Sequence, residues 1–165
     1  MVCVIEVLVS MASGTAAAPA SADGVVVDRV ADAGPLAGLE AALVRARFPR
    51  LLVVAVDLPA MTSDYLCRLV DRAAEGTGVV PVRDGRYEPL AALYPRRVLD
   101  MVRRRLDAGD LRLQAFVRES VGCGMVVECV VAPDEEPLFA NWNHPSDVPP
   151  PTDGGKSRTG PPPGP

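Results

Sequence analysis

The sequence predicts an α/β fold in which a mostly parallel sheet is covered by helices. Short runs of Val, Leu and Ala, such as 53–56, recur along the chain, and such runs are typical of strands buried on both faces. Segments with apolar residues at helical spacing separate these runs. Two of the runs end on an aspartate, Asp28 and Asp57. Strands that alternate with amphipathic helices indicate a sheet sandwiched between helical layers.

The predicted elements follow one another along most of the chain. The pattern predicts strands at 2–10, 25–27, 51–56, 79–82, 88–94 and 125–131. It predicts helices at 36–47, after the capping residue Thr62, at 95–106 and at 111–118. Pro and Gly dominate after position 147. We therefore expect a folded domain over 1–147 and a disordered tail over 148–165.

Composition and charge exclude several classes of protein. The chain has 165 residues, 48% of them hydrophobic and 23% charged, which is the balance of a globular domain with a sizeable core. Its net charge of −4 gives no reason to expect nucleic acid or an anionic membrane as a partner. The four cysteines lack the spacing of a zinc site, and the apolar run at 2–9 is too short for a membrane span. We expect a cytoplasmic protein whose oligomeric state stays open.

Asp57 follows the strand at 51–56, and Pro59 comes two residues later. Because proline has no N–H for the ladder, the strand must end there, and the carboxylate is delivered to the carboxyl edge of the sheet. Open α/β folds bind their ligands at that edge. The residues alone leave two interpretations open: Asp57 is a ligand of a divalent cation that carries phosphates, or it caps the next helix.

A turn with two glycines comes before the helix at 36–47. Glycines at such a turn let the backbone approach a ligand closely, and a helix N-terminus favours an anion. The alternative is a tight turn that only leads into the helix. Asp28 closes the preceding strand, where it either accepts a hydrogen bond from a base or ribose or caps a turn. The turn consists of Gly34, Pro35, Leu36, Ala37 and Gly38.

Five segments of the chain stand in a distinctive order and spacing. They are Val27–Asp28, Gly34–Gly38, Val56–Pro59, Glu88–Tyr94 and Asn141–Asn143. Together they resemble the MobA-like nucleotidyltransferases, and most closely the molybdenum cofactor guanylyltransferases. The resemblance covers nearly everything outside the predicted tail, and it implies a three-layer, Rossmann-like nucleotidyltransferase sheet.

The resemblance implies a nucleotide side of the site. In the family, an acid at a strand end coordinates magnesium and GTP, and this acid matches Asp57. An earlier acid that contacts the guanine nucleotide matches Asp28. The Gly-Pro-Leu-Ala-Gly turn that lines the nucleotide pocket matches Gly34–Gly38. An Asn that the family often places on this side appears here as Ser10.

The resemblance also implies an acceptor side. The family's strand along the cleft matches Pro89–Tyr94, and its closing Asn-x-Asn near the pterin side matches Asn141 and Asn143. Arg83 and Arg86 flank a turn just before the cleft strand. These two arginines are candidates for meeting an anionic pterin phosphate.

One unit of the family pattern is not found in the sequence. The family opens with a strand and a loop of the type L-A-G-G-x-S-x-R-M-G-x-D-K, which holds the triphosphate. Met1 falls where the family's second strand begins, so the resemblance implies that a first βα unit of roughly 30 residues is absent. The well-formed strand pattern at 2–10 favours a start codon upstream of Met1 over a degenerate copy.

The function implied by the resemblance is the transfer of GMP from GTP to molybdopterin cofactor, with release of pyrophosphate. Its expected cofactor is Mg²⁺, and its expected partners are GTP and the molybdopterin cofactor. Two alternatives stay open. The same fold also serves cytidylyl transfer or nucleotide transfer to a sugar phosphate, and without the glycine-rich loop the chain could be a non-catalytic remnant that binds nucleotide.

Overall fold

A computed structural model describes residues 6–11, 20–29 and 33–141 of the chain. The predicted tail at 148–165 and the site residue Asn143 lie outside this part of the chain. Among the described residues, no helix is long and apolar enough to cross a membrane.

The described strands form two sheets. In the smaller sheet, β1 (Leu8–Met11) and β2 (Gly24–Val27) pair in parallel. The larger sheet has the order β3-β6-β4-β5, and β7 pairs with β4. No backbone pairing joins the two sheets within the described ranges. The strands of the larger sheet are β3 (Arg50–Val54), β4 (Gly78–Arg83), β5 (Arg86–Tyr87), β6 (Ala91–Pro95) and β7 (Val126–Val130).

Helices cover both faces of the larger sheet. The α-helices are α1 (Pro35–Arg45), α2 (Ser63–Asp71), α3 (Leu99–Asp107) and α4 (Leu113–Gly122), and short 3₁₀ helices span Arg96–Val98 and Glu136–Phe139. On one face, apolar residues of α1, α3 and α4 form the main core with β3, β4, β6 and β7. On the other face, α2 packs against the sheet through Tyr65 and Leu69. The predicted α/β class and three-layer arrangement are confirmed.

The prediction of a mostly parallel sheet is wrong, because the larger sheet is mixed. The pairs β3–β6, β4–β5 and β4–β6 are antiparallel, and β4–β7 is parallel. The reversal occurs at Asp84 and Gly85, whose φ angles are 50° and 72°. A two-residue turn with positive φ at both positions closes a hairpin, so the chain returns beside β4 and continues as β6 in the opposite direction.

Pro81 explains why the strand predicted at 88–94 begins only at Ala91. Pro81 lies inside β4, where it has no N–H to donate to a neighbouring strand. The β4–β6 pairing is limited to Val79 and Leu93. Beyond it, the carbonyl of Pro81 accepts from the N–H of Glu88 at 2.9 Å, so the returning chain bends there. This bend borders a cavity.

The strand directions bring the C-terminal ends of several strands to one edge. β3 and β4 both run antiparallel to β6, and β7 is parallel to β4, so these three strands point the same way. α1 runs against them, because Arg96, beside the start of β3, donates to the Ala46 carbonyl just after α1 at 2.8 Å. Glu6, before β1, pairs with Arg47, also just after α1, at 2.8 Å. One edge of the fold therefore holds the start of α1 and the C-terminal ends of β2, β3, β4 and β7. We name it the carboxyl edge.

Gly78 allows β4 and β6 to approach closely. A Cβ atom at position 78 would lie 2.2 Å from the backbone oxygen of Leu93. We predict that Gly78→Ala lowers the free energy of unfolding by about 3 kcal/mol or more, because a backbone oxygen in a central ladder cannot move aside. Urea denaturation measures the loss. As a control, Gly122→Ala adds a Cβ atom that meets nothing within 4 Å and should be neutral or slightly stabilising. Equal effects of the two substitutions would contradict this packing.

Candidate functional site

Asp28 lies half-buried at the carboxyl edge, between β1 and the first turn of α1. The hydroxyl of Ser10 donates to Asp28 Oδ1 over 3.5 Å. Burial raises the pKa of the Asp28 carboxyl, and the hydrogen bond from Ser10 acts in the opposite direction. A ligand that donates a hydrogen bond to this carboxylate would compensate for its lost hydration.

Gly38 allows α1 to approach Ser10 and Asp28. A Cβ atom at position 38 would lie 2.5 Å from Ser10 Oγ and 3.5 Å from Asp28 Oδ1. The absence of a side chain therefore brings the first turn of α1 against the end of β2. This close approach is a reason for glycine that the turn motif alone did not reveal.

The remaining residues of the predicted turn divide into two kinds. Gly34 precedes α1 with a φ of 62°, and it has no side chain that could cap the helix. Gly34 and Pro35 are exposed, whereas Leu36 and Ala37 are completely buried in the main core. Of these four residues, only Gly34 and Pro35 can therefore meet a ligand. The role of the turn in nucleotide binding stays a prediction.

Glu40 is a buried acid that the sequence analysis missed. Its side chain is 3% exposed and lies between Arg29 Nε at 3.2 Å and Arg103 Nε at 3.1 Å. A buried carboxylate between two guanidinium groups holds its partners in place, because separating them would leave a charge unpaired. Arg29 follows Asp28 directly, so the pair anchors the end of β2. The sequence did carry a signal for this buried acid, because Glu40 lies between Leu36 and Leu43 in the apolar stripe of the helix.

Asp57 lies half-buried in the turn that follows β3. The chain has just left the sheet there, since the Ala55 N–H donates to the Leu90 carbonyl at 2.8 Å. Leu58 packs into a small apolar cluster with Tyr65 and Ala91, which holds the turn in place. Among the described residues, no hydrogen bond or ion pair engages the Asp57 carboxylate. The next helix is capped by Thr62, whose hydroxyl accepts from the N–H of Tyr65 at 3.3 Å, so Asp57 does not serve as its cap.

The donor set around Asp57 suits only a cation that brings further ligands with it. No group of three or more His, Cys, Asp or Glu side chains lies together within the described part of the chain. A metal that needs a full set of protein ligands therefore has no cage there. Mg²⁺ fits this arrangement, because it is usually held by one or two carboxylates together with water and substrate phosphates.

The bend after β5 borders a cavity of about 330 Å³ at the carboxyl edge. Arg83 in this cavity is already paired, since its guanidinium lies 3.0 Å from Glu88 Oε1. Arg86 is exposed and forms no ion pair among the described residues. The cavity is lined by Arg83, Asp84, Arg86, Tyr87, Glu88, Pro89 and Gln114.

Asn141 lies on the same side of the molecule. The 3₁₀ helix at Glu136–Phe139 follows β7 and leads to Asn141, which is exposed. Phe139 packs with Leu58 in the cluster that supports the Asp57 turn, and the guanidinium of Arg83 lies 5.7 Å from the Phe139 ring. The turn of Asp57, the cavity and the segment before Asn141 are therefore neighbours.

Comparison with known proteins now identifies the class. The fold is that of an α/β protein whose candidate site residues lie at the carboxyl edge of its sheet. A family model described as MobA-like NTP transferase domain matches residues 2–123. The chain belongs to the MobA-like NTP transferase family. This confirms the resemblance stated from its motifs.

Named relatives and solved structures agree with this family. The chain is 38% identical to a probable molybdenum cofactor guanylyltransferase of Opitutus terrae, over 74% of this chain and 62% of that protein. It is 33% identical to a molybdenum cofactor guanylyltransferase of Pseudomonas putida, over 85% of this chain and 72% of that protein. Its structure resembles molybdopterin-guanine dinucleotide biosynthesis protein A from Archaeoglobus fulgidus, with a TM-score of 0.61 and 26% identity over 75% of this chain and 64% of that one. The chain thus spans less than two thirds of the Opitutus relative's length.

The contact of Gly38 with Ser10 can be tested by a double substitution. Gly38→Ala should lower the free energy of unfolding by about 1–2 kcal/mol, because its Cβ atom would overlap Ser10 Oγ. Ser10→Ala removes that oxygen, so the double variant should recover most of the loss. Chemical denaturation of the four proteins measures the coupling energy. Additive effects of the two substitutions would contradict the close approach of α1 and β1.

The pKa of Asp28 gives a pH prediction. Because burial raises this pKa in the folded protein, the stabilisation by the protonated form is complete below the unfolded pKa of about 3.9 and is lost as the pH rises through the folded pKa. We predict that Asp28→Asn raises the unfolding midpoint at pH 7 and that the gain disappears toward pH 4. Thermal unfolding across this range measures it. A variant less stable than the native chain at pH 7 would show that the charge is compensated.

Proposed function

We propose that this protein transfers a nucleotidyl group, most specifically GMP from GTP, to the phosphate of molybdopterin cofactor with release of pyrophosphate. The observation that supports the proposal is that two different groups of candidate residues lie at one edge of the sheet. A half-buried acid beside an uncapped helix start lies at one end of this edge, and the Asp57 turn with the neighbouring cavity lies at the other. The names of the relatives support the choice of reaction.

The nucleotide is proposed to lie along the start of α1. Asp28 would accept a hydrogen bond from the base or the ribose, and the exposed backbone at Gly34 and Pro35 allows close approach. The exposed start of α1 lies at the positive end of the helix dipole, which favours an anionic group. Guanine is favoured over cytosine only by the relatives' names, so the choice of base is the finer part of the proposal.

Asp57 is proposed to hold Mg²⁺ together with the nucleotide phosphates. The Asp57 carboxylate is half-buried, sits on a turn held by Leu58, and has no competing partner among the described residues. Mg²⁺ bound there would neutralise charge that develops on the phosphates during transfer. The contribution of the chain is to fix the position of this carboxylate before the nucleotide arrives.

The acceptor is proposed to enter from the cavity side. Arg86 is exposed at the border of the cavity and unpaired among the described residues, so it is the better candidate for an acceptor phosphate that stays outside the cavity interior. Arg83 is engaged by Glu88. Pro89 lines the cavity, and exposed Asn141 lies two residues after Phe139, whose ring contacts Arg83. The acceptor phosphate would attack the α-phosphorus of GTP, a P–O bond would form, and pyrophosphate would leave. No protein nucleophile is required, because the attacking oxygen is already anionic.

The role of Asp57 can be tested by Asp57→Asn. We expect Mg²⁺-dependent pyrophosphate release from GTP and molybdopterin to fall by about 100-fold or more, since a charged ligand of the phosphate-bound metal is lost. The fold should be unaffected, because no partner of Asp57 is lost. Pyrophosphate release and thermal unfolding measure the two effects.

Asp64→Asn is the matched control for this test. Asp64 is exposed in the first turn of the next helix, so the substitution makes the same charge change nearby without touching the proposed metal ligand. We expect it to leave turnover unchanged. If Asp57→Asn and the native chain released pyrophosphate at equal rates, the proposed function of Asp57 would be wrong. If neither the native chain nor Asp57→Asn released pyrophosphate, a non-catalytic role would replace the transferase proposal.

A further inference from the structure

The charges around the cavity beside the bend after β5 do not suit a phosphate group in its interior. Arg83 and Arg86 contribute two positive charges to the lining, and Asp84 and Glu88 contribute two negative charges. These charges balance, so the interior offers no net attraction to an anion. It offers instead fixed donors and acceptors side by side. Such a lining suits an uncharged ring that carries both kinds of polar group.

Glu88 and Arg83 form a rigid pair in this lining. Arg83 Nε and Nη2 lie 3.1 Å and 3.0 Å from the same oxygen, Oε1 of Glu88. The guanidinium also lies against the ring of Phe139 at 5.7 Å, which limits its movement. A carboxylate has about four lone-pair sites. Among the described residues only Arg83 contacts the Glu88 carboxylate, so Oε2 and the remaining sites of Oε1 can accept from a ligand.

Gln114 holds the backbone on which Glu88 sits. Its Oε1 accepts from the N–H of Tyr87 at 3.2 Å, and its Nε2 donates to the Tyr87 carbonyl at 2.8 Å. The amide of Gln114 thus pairs with β5 as a neighbouring strand would. On the other side, the N–H of Glu88 donates to Pro81. The Glu88 carboxylate is therefore presented from a backbone anchored on both sides, which is what selective recognition requires.

We propose that Glu88 and Arg83 read a 2-amino-4-oxopyrimidine ring, the part that guanine and pterin share. Glu88 accepts hydrogen bonds from the ring N–H and the 2-amino group, and Arg83 donates to the 4-oxo group. A carboxylate matches two adjacent donors, and a guanidinium supplies further donors beside it. The inference deepens the proposed function and rests on it for the identity of the ligand's source, a pterin acceptor or a guanine nucleotide.

The test compares rings that differ only at position 2. Fluorescence titration measures the binding of pterin, which has a 2-amino group, and lumazine, which has a 2-oxo group. Competition with the bound pterin or lumazine measures the binding of GTP and XTP, whose bases also differ in a 2-amino or a 2-oxo group. We expect the native chain to prefer the 2-amino member of at least one pair by about 10- to 100-fold, since a ring without the amino group leaves a partly buried acceptor unpaired.

Glu88→Gln is the decisive variant, because an amide can donate where the carboxylate only accepts. We expect it to lose the preference for the 2-amino ring or to invert it, while the 2-oxo ring still binds. Retained binding of the 2-oxo ring shows that the protein is folded. Glu75→Gln, an exposed site in the turn after α2, is the charge-matched control and should keep the native preference.

The outcomes separate this inference from the proposed function. Either Glu88-dependent preference supports the inference. A preference for pterin over lumazine makes the cavity an acceptor site, as the proposed function has it. A preference for GTP over XTP makes the cavity a base site and contradicts the placement of the base beside Asp28. Equal preferences in the native chain and Glu88→Gln, or no binding of any of the four probes, overturn it. Pyrophosphate release that persists with an unchanged preference would leave the transferase proposal standing without this inference. Selective binding without pyrophosphate release would support this inference and contradict the transferase proposal.

Discussion

The packing of α1 is the constraint on which the rest of the structure depends. The two sheets share no backbone pairing in the described part of the chain, yet α1 packs against β1, β2 and β3. Its apolar face lies in the main core, with Leu36, Ala37 and Leu43 essentially inaccessible. At about 1.5–3 kcal/mol for each fully buried aliphatic side chain, this face contributes more than the exposed ion pairs nearby. A helix that joins the sheets also fixes which ends of their strands meet.

Both ends of α1 are attached, and each attachment has a consequence for the site. At the C-terminal end, Arg96 donates to the last carbonyls and Glu6 pairs with Arg47. These contacts align the beginnings of the two sheets. At the N-terminal end, Gly38 lies against Ser10 beside Asp28. No side chain caps the start of the helix there, because the residue before it is Gly34. The same packing that joins the sheets thus places an exposed helix start, at the positive end of the helix dipole, beside a half-buried hydrogen-bond acceptor.

Sequence patterns predicted the helices, the strands and the edge where Asp57 lies better than they predicted the directions of the strands in the sheet. The Thr62 cap, the helix after Gly34 and the position of Asp57 past a strand end follow from local chemistry, and local chemistry is what a single sequence carries. The direction of β6 depends on the Asp84–Gly85 hairpin, and its late start depends on the missing N–H of Pro81, so both arise from pairing between distant residues. Partners across the fold were also invisible. Arg83 could be chosen as a cation, but its engagement by Glu88 appears only in three dimensions.

The central claim is that nucleotide and metal meet this protein at the carboxyl edge, between the start of α1 and the Asp57 turn. The most direct test is NMR of the isotope-labelled chain with GTP and Mn²⁺, a paramagnetic substitute for Mg²⁺. We expect amide signals around Asp57 and Gly34–Gly38 to broaden, and signals at the opposite edge, around Ala46–Arg50, to stay sharp. Broadening that centres on the opposite edge, or that spreads evenly over the chain, would contradict the account.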